Sequence, residues 1–410
     1  MKENIDIEKI ASDCLSCPKP RCESGCPVGN HIRDFIKAIK NGKLEEAADT
    51  LYSQNPYPEL TCRLCDFSRN CMGHCVKSIK GQGIPCYLIE RYISDNVKRN
   101  NVVKDPNGRR IAIIGGGISG CTAAKTLAME GYHVEIFEKE HQVGGAIYTG
   151  IPDYRFDKSV LADVQQELLD LGVIIHFGVT IGRDVTIDNI LFRFDRVLLA
   201  VGAEAENKGG FDAKAGFVGG LTLLYDLNIE GKKEEYAQKY HHAVVWGGGN
   251  VAMDCARSLI RIIDDVTIVY RRSRHEMPAS ADEVDAAEKE GVKLAYLTNV
   301  KFLETNENDV VNGIRCVKMG LGELDESGRA SVHELEATDF NLDCDLFVPA
   351  IGEKVDLTEL KPGLKPTEGR SVSEAKMLRC GDAYLGPKTV AHCIHDGKEA
   401  AYAIISSFRR

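Results

Sequence analysis

The rhythm of hydrophobic and polar positions changes near residue 110. Upstream, Phe35, Ile36, Ile39, Leu44, Ala47, Ala48 and Leu51 recur at roughly helical spacing. Asn41-Gly42 interrupts them, so two short helices are predicted. A polar stretch from Lys98 through Asp105-Pro106-Asn107-Gly108 reads as a linker. From Ile111 the rhythm is that of an α/β chain: a buried strand at 111–114, a glycine turn, a helix through Met129 and a second strand at 134–137. The same strand–glycine–helix–strand unit returns at 243–270, so two dinucleotide sites are expected. The chain end offers a strand at 346–351, a Gly381-Asp382 turn and a final helix near 389–406. The expected architecture is α/β, with a helical N-terminal domain (1–104) followed by two Rossmann-like domains. The first spans 105–236 and 346–410, and the second, 237–345, is inserted in it.

A length of 410 residues allows two or three domains with a substantial core. No apolar run is long enough to span a bilayer. The formal charge of −10 argues against nucleic acid or an anionic membrane as the main partner, and suits a partner with a basic docking face. Fifteen cysteines with no apolar h-region in the first thirty residues predict a reducing cytoplasm.

Eight of those cysteines fall in two runs, Cys14-x2-Cys17-x4-Cys22-x3-Cys26-Pro27 and Cys62-x2-Cys65-x5-Cys71-x3-Cys75. Dense runs followed by Pro are how a chain surrounds cuboidal iron–sulfur clusters, with the last cysteine of one run crossing to the other cluster. Two [4Fe–4S] clusters are expected. Zinc would favour two short pairs per site, and disulfides would imply secretion.

The first glycine turn reads Gly115-Gly116-Gly117-Ile118-Ser119-Gly120. Gly115 permits the tight turn, Gly117 lets backbone approach a pyrophosphate, and Gly120 lets helix and strand pack closely. Glu138 at the next strand end supplies the acid that a ribose diol needs. The second turn reads Gly247-Gly248-Gly249-Asn250-Val251-Ala252, and its strand end carries no acid but runs into Tyr270-Arg271-Arg272-Ser273-Arg274. Guanidinium groups there can grip a 2′-phosphate that a carboxylate would repel. The bland alternative is a solvated basic turn. One site thus suits FAD and the other NADPH. Nicotinamides exchange hydrides and clusters exchange single electrons, so a flavin has to stand between them.

With these residues assembled, the chain resembles the small (β) subunits of NADPH-dependent glutamate synthase. It is also similar to the N-terminal half of dihydropyrimidine dehydrogenase and to flavin subunits of NADPH–ferredoxin oxidoreductases. The resemblance rests on Cys-Pro-Val-Gly-Asn at 26–30, Arg63-Leu64-Cys65, Gly144-Gly145, 150–155, 252–257, 270–278, Ala350-Ile351-Gly352 and Gly381-Asp382-Ala383. It implies that Cys14, Cys17, Cys22 and Cys75 hold one cluster. Cys26, Cys65 and Cys71 hold the other, with a helix ligand at Glu90. Cys86, one turn earlier, is the rival for that place, and Cys62 is spare. By the same transfer Gly145, Arg155, Gly381, Asp382 and Thr389 line the FAD. Asn250, Val251, Arg271, Arg272 and Arg274 contact NADPH beside Gly247 and Gly249.

The resemblance implies an enzyme in which NADPH reduces FAD and electrons pass through two clusters to a larger redox subunit or a ferredoxin. No catalytic residue beyond the cofactors is required, since the reaction depends on placing the nicotinamide against the flavin. The chain begins Met-Lys-Glu, with no Cys at position 2 to act as an amidotransferase nucleophile. A redox-sensing or scaffold subunit is the alternative from another class. Cys255 has no CxxC neighbour, so a redox disulfide is not expected there. His74 is read as backbone-bonded, and His392, Cys393 and His395 as packing residues.

Overall fold

Gly42 takes φ 68°, a backbone state that glycine enters without cost, and there the chain turns between the helices Ile32–Lys40 and Leu44–Gln54. The computed structural model describes residues 6–98, 101–324 and 328–408. The apolar faces of this helix pair close with Ile89 and Ile93 of the helix Cys86–Asn96 into one core. The chain divides into two units, one built from 1–148, 156–203 and 355–410, the other from 149–155 and 204–354.

In the first unit the helices are followed by a five-stranded parallel sheet. Its order is Met377–Arg379, Arg196–Leu199, Arg110–Ile114, His133–Phe137, Ile174–His176. The helix Ile118–Met129 leaves its first glycine turn and packs against the final helix Val390–Ser407. Three contacts tie the N-terminal helices to this framework. Tyr57 donates its hydroxyl to the Cys121 carbonyl at 3.3 Å. Lys398 donates to the Gln54 carbonyl at 2.9 Å. Lys125, only 2% exposed, donates to the Pro56 carbonyl at 2.9 Å and pairs with Glu167 at 2.6 Å. Of the expected linker, Arg99 and Asn100 lie outside the described residues. Its remainder is held to the first Rossmann helix, where the Lys104 amide donates to the Met129 carbonyl at 2.9 Å.

The second unit holds a four-stranded parallel sheet, ordered Leu346–Pro349, His242–Trp246, Asp265–Val269, Lys293–Ala295. An antiparallel sheet around the long strand Val311–Leu324 adjoins it. The strand expected at 346–351 to open the returning part of the first dinucleotide domain instead pairs in parallel with His242–Trp246. The return to the first unit comes at 355, and 204–236 also belong to the second unit. An all-apolar strand buried on both faces carries no mark of which parallel sheet it joins, which is why the pattern misplaced it.

Candidate functional site

The two cysteine runs fold around two separate cavities. The first is lined by Cys14, Cys17, Cys22 and Cys75, with Cys86 on its inner wall. The second is lined by Cys26, Cys65 and Cys71, together with Glu90, Thr61 and Asn30. The last cysteine of the second run therefore joins the first three of the first run, the crossed grouping expected from the sequence. Cys62 lines neither cavity; it sits under Arg63, whose Nη1 donates to the thiol at 3.1 Å.

Glu90 and Cys86 start from the same helix but point to different cavities. Cys86 donates its thiol to the Ile84 carbonyl at 3.3 Å and faces the first cavity. Glu90 is 7% exposed, and burial pushes its carboxyl up to about 7. Asn55 Nδ2 donates to Glu90 Oε1 at 3.0 Å, and Thr61 Oγ1 donates to the same oxygen. These two donors fix the carboxyl and leave Oε2 for the cavity. Sequence reasoning missed both, because nothing in their spacing from position 90 signals contact.

The cavities fit iron–sulfur clusters on donor chemistry. Burial pushes the Cys22 thiol up to about 12 and the Cys26 thiol up to about 11, although the Asn30 amide pulls the latter back. Thiols held this high stay protonated near neutral pH unless a metal replaces the proton. Among the described residues no group of three or more His, Cys, Asp or Glu side chains is drawn together as for a single metal ion. The cysteines instead ring an open space. Asn30 adds a buried, unpaired Oδ1 to the wall of the second.

At the first glycine turn the glycines divide their tasks. A Cβ at Gly115 would lie 2.5 Å from the Ala200 carbonyl oxygen, and one at Gly120 would lie 2.3 Å from that of Gly115. The protein itself needs both. A Cβ at Gly117 would meet nothing nearer than 3.9 Å, so that face is open to a ligand, with Gly145 closing on it from the neighbouring loop. Glu138 is buried, and its two oxygens accept the Gly116 amide at 2.5 Å and the Glu140 amide at 2.8 Å. A carboxylate has about four acceptor sites, so two remain for a ribose diol. Burial raises its affinity for a proton.

The Gly381-Asp382 turn lies in the same unit. Gly381 has φ 59°, and its amide donates to Asp396 at 2.7 Å. Asp396 is also held by both Nη atoms of Arg370, at 2.9 and 2.6 Å. This pair, of which Asp396 is buried, fixes the turn, and no motif pointed to it. Asp382 accepts from the Lys388 amide at 3.0 Å and the Cys393 thiol at 3.2 Å. Thr389 stands at the start of the final helix, and its hydroxyl bonds His392 Nδ1 at 2.8 Å. Arg155 belongs to the second unit, where its guanidinium pairs with Asp254 at 2.6 Å and with Glu283 at 3.0 Å.

At the second turn, a Cβ at Gly249 would meet nothing within 4 Å, while one at Gly247 would lie 2.1 Å from the Ala350 carbonyl oxygen. Asn250 opens the helix Asn250–Leu259 and accepts the Ser280 amide at 3.2 Å; Val251 follows, half-buried. The arginines separate by role. Arg272 is buried, and its Nε donates to the Ala330 carbonyl at 2.7 Å. Arg274 pairs with Glu288 at 2.6 Å and with Asp285. Arg271 is exposed and carries no ion pair or side-chain hydrogen bond among the described residues. Arg329, unmarked in the sequence, joins Arg271 and Arg272 in the field around Tyr270.

Other cysteines and aromatics have structural partners. Cys255 is buried and donates to the Gly220 carbonyl at 3.3 Å. His74 bonds the Asn70 carbonyl at 2.8 Å. Trp246 stacks on Phe347 at 6.1 Å, packs against Phe211, and donates to Asn299 Oδ1 at 3.1 Å. It packs on the edge of an aromatic group in the second unit that is centred on the buried Phe347.

Fold and site together define an iron–sulfur flavoprotein oxidoreductase. Residues 109–382 match the pyridine nucleotide–disulphide oxidoreductase family, and residues 1–102 match dihydropyrimidine dehydrogenase domain II, 4Fe–4S cluster. The chain belongs to the pyridine nucleotide–disulphide oxidoreductases and, within them, to the FAD- and iron–sulfur-dependent NADPH oxidoreductases that include the glutamate synthase small chains. It is 32% identical to the glutamate synthase [NADPH] small chain of Azospirillum brasilense, over 96% of this chain and 87% of that one. It is 33% identical to the NADP(+)-dependent formate dehydrogenase subunit beta of Moorella thermoacetica, over 95% of this chain but only 60% of that one. It is also 31% identical to the NADPH-Fe(3+) oxidoreductase subunit beta of Geobacter sulfurreducens, spanning 63% of its length. The fold is shared with Mycobacterium tuberculosis FprA in complex with NADPH, at TM-score 0.65 and 19% identity, over 73% of this chain and 85% of that one. No helix among the described residues is long and apolar enough to cross a membrane.

Proposed function

We propose that the chain takes two electrons from NADPH into FAD and passes them singly through two [4Fe–4S] clusters to a partner protein, as a glutamate synthase small subunit does. A flavin at the first glycine turn supplies the exchange between hydride and single-electron chemistry. The balance is one NADPH in, and NADP+, one proton and two electrons out. The observation that carries this reading is the division of ligands between the cavities, Cys14, Cys17, Cys22 and Cys75 against Cys26, Cys65, Cys71 and Glu90.

The residues hold and orient. Glu138 selects an unphosphorylated ribose, Gly117 and Gly145 admit the pyrophosphate, and Asp382 and Thr389 border the remaining flavin chain. Gly249, Asn250 and Val251 receive the nicotinamide dinucleotide, and Arg271 reads its 2′-phosphate. Asn55 and Thr61 orient Glu90 toward iron. Anaerobic addition of NADPH to the purified chain tests the reading: flavin and cluster absorbance should both bleach. Bleaching of flavin alone would overturn the path through the clusters.

A further inference from the structure

The second cavity lies on the side of the sheet. Thr61 and Asn55, which hold its Glu90, flank Tyr57, and Tyr57 is bonded to the helix of the first glycine turn. The first cavity is bordered instead by exposed apolar side chains. Leu15 is 63% and Val76 36% exposed on its rim, and Ile79, on the same short helix as Val76, is 65% exposed. Exposed aliphatics at the mouth of a cavity that is ringed by cysteines suit a contact surface.

The charge at this mouth is opposite to that of the molecule. Arg21, Arg33 and Lys77 line the cavity and no carboxylate does. Lys40 reaches the Cys14 carbonyl at 2.6 Å. Residues 14–40 and 75–80 carry seven lysines and arginines against Glu23 and Asp34, in a chain of net charge −10. Asp34 pairs with Arg33 at 3.0 Å, and Asp13 stands 4.0 Å from Lys77, which leaves the lysines at 19, 37, 40 and 80 without an ion pair among the described residues. A basic patch on an acidic protein attracts acidic faces and so steers an acidic partner to this rim.

We propose that this rim, Leu15, Val76 and Ile79 within a ring of lysine and arginine, docks a small acidic one-electron carrier protein. The proposal rests on the electron path above and names its exit. Each encounter moves one electron and no proton to the carrier, and two encounters restore the chain after one NADPH. The overall negative charge suggested a basic partner, and the local charge reverses that expectation.

The test titrates an oxidised acidic [2Fe–2S] ferredoxin into the anaerobic holoprotein by calorimetry, a measurement that needs no turnover. Binding should weaken by about tenfold when salt rises from about 20 to about 500 mM, because the contact is between exposed charges. Lys19→Glu with Lys80→Glu, and separately Ile79→Asp, should each weaken it by a similar factor at low salt. None of these residues lines a cavity, so bleaching by NADPH should be unchanged in both variants. Cytochrome c, a basic carrier, should not bind. Failure of the ferredoxin to bind at low salt, salt-independent binding, or wild-type affinity in both variants would each overturn the proposal. Wild-type protein that binds ferredoxin but is not bleached by NADPH would refute the electron path and leave the docking surface standing.

Discussion

Cys86 and Glu90 stand one helical turn apart, yet the thiol faces the cavity of Cys14, Cys17, Cys22 and Cys75 while the carboxyl faces that of Cys26, Cys65 and Cys71. The Cys86 thiol also bonds that of Cys71 in the second group, so it stands between the two sets, while Glu90 borders only the second. Glu90→Ala should therefore alter one of two cluster EPR signals, because a thiolate set with an oxygen ligand has its own potential. Cys86→Ala should leave both signals. Loss of a signal in Cys86→Ala alone would reverse the assignment.

Iron analysis checks the cavities independently. Two cubane clusters predict about eight irons and eight labile sulfides per chain under anaerobic conditions. Four irons, or stoichiometric zinc, would contradict the reading.

Arg271 and Arg272 are neighbours with different work. Arg271→Ala removes the exposed cation proposed to read the 2′-phosphate and should raise the NADPH KM by roughly ten- to a hundredfold, the worth of a charge-assisted bond, while NADH turnover stays nearly constant. Arg272→Ala strips a buried bond to the Ala330 carbonyl and should lower the melting temperature as well. Equal losses with both nucleotides in Arg271→Ala would refute phosphate reading there.

Lys125 joins the helices to the sheet. It is buried, bonded to Pro56 and Glu167, and lies 4.8 Å from the Tyr57 ring centroid. Lys125→Ala leaves Glu167 and a carbonyl without their cation and should cost about 3 kcal/mol in urea unfolding. A cost below about 1 kcal/mol would show that the contact is incidental.

Acid stability should depend on Glu290 in the second unit. Its carboxylate accepts from Arg257 at 2.9 and 2.6 Å and from Arg261 at 2.8 and 2.9 Å, and these bonds hold it down to about 2. A depressed folded value contributes stability above the ordinary carboxyl range and loses it as pH falls through about 2. Glu290→Gln should flatten the fall of melting temperature between about pH 4.5 and 2. A wild-type slope in the variant would place the acid sensitivity elsewhere.

The sequence by itself determined the repeated strand–glycine–helix units, the cysteine runs and the contrast between Glu138 and the arginines. These are local matters: a turn that only glycine can make, and a strand end next to the phosphate its own helix receives. Only the tertiary structure decided what rests on contacts between distant segments. It held Glu90 with Asn55 and Thr61, set Arg155 against Asp254, and gave Leu346–Pro349 to the second sheet. It also drew Arg21, Arg33, Lys40 and Lys77 to one cavity of an otherwise acidic chain. Spacing along a chain fixes which atoms a turn or a helix presents. Which of them meet is set by how the buried faces pack, and one apolar face looks much like another until it is buried.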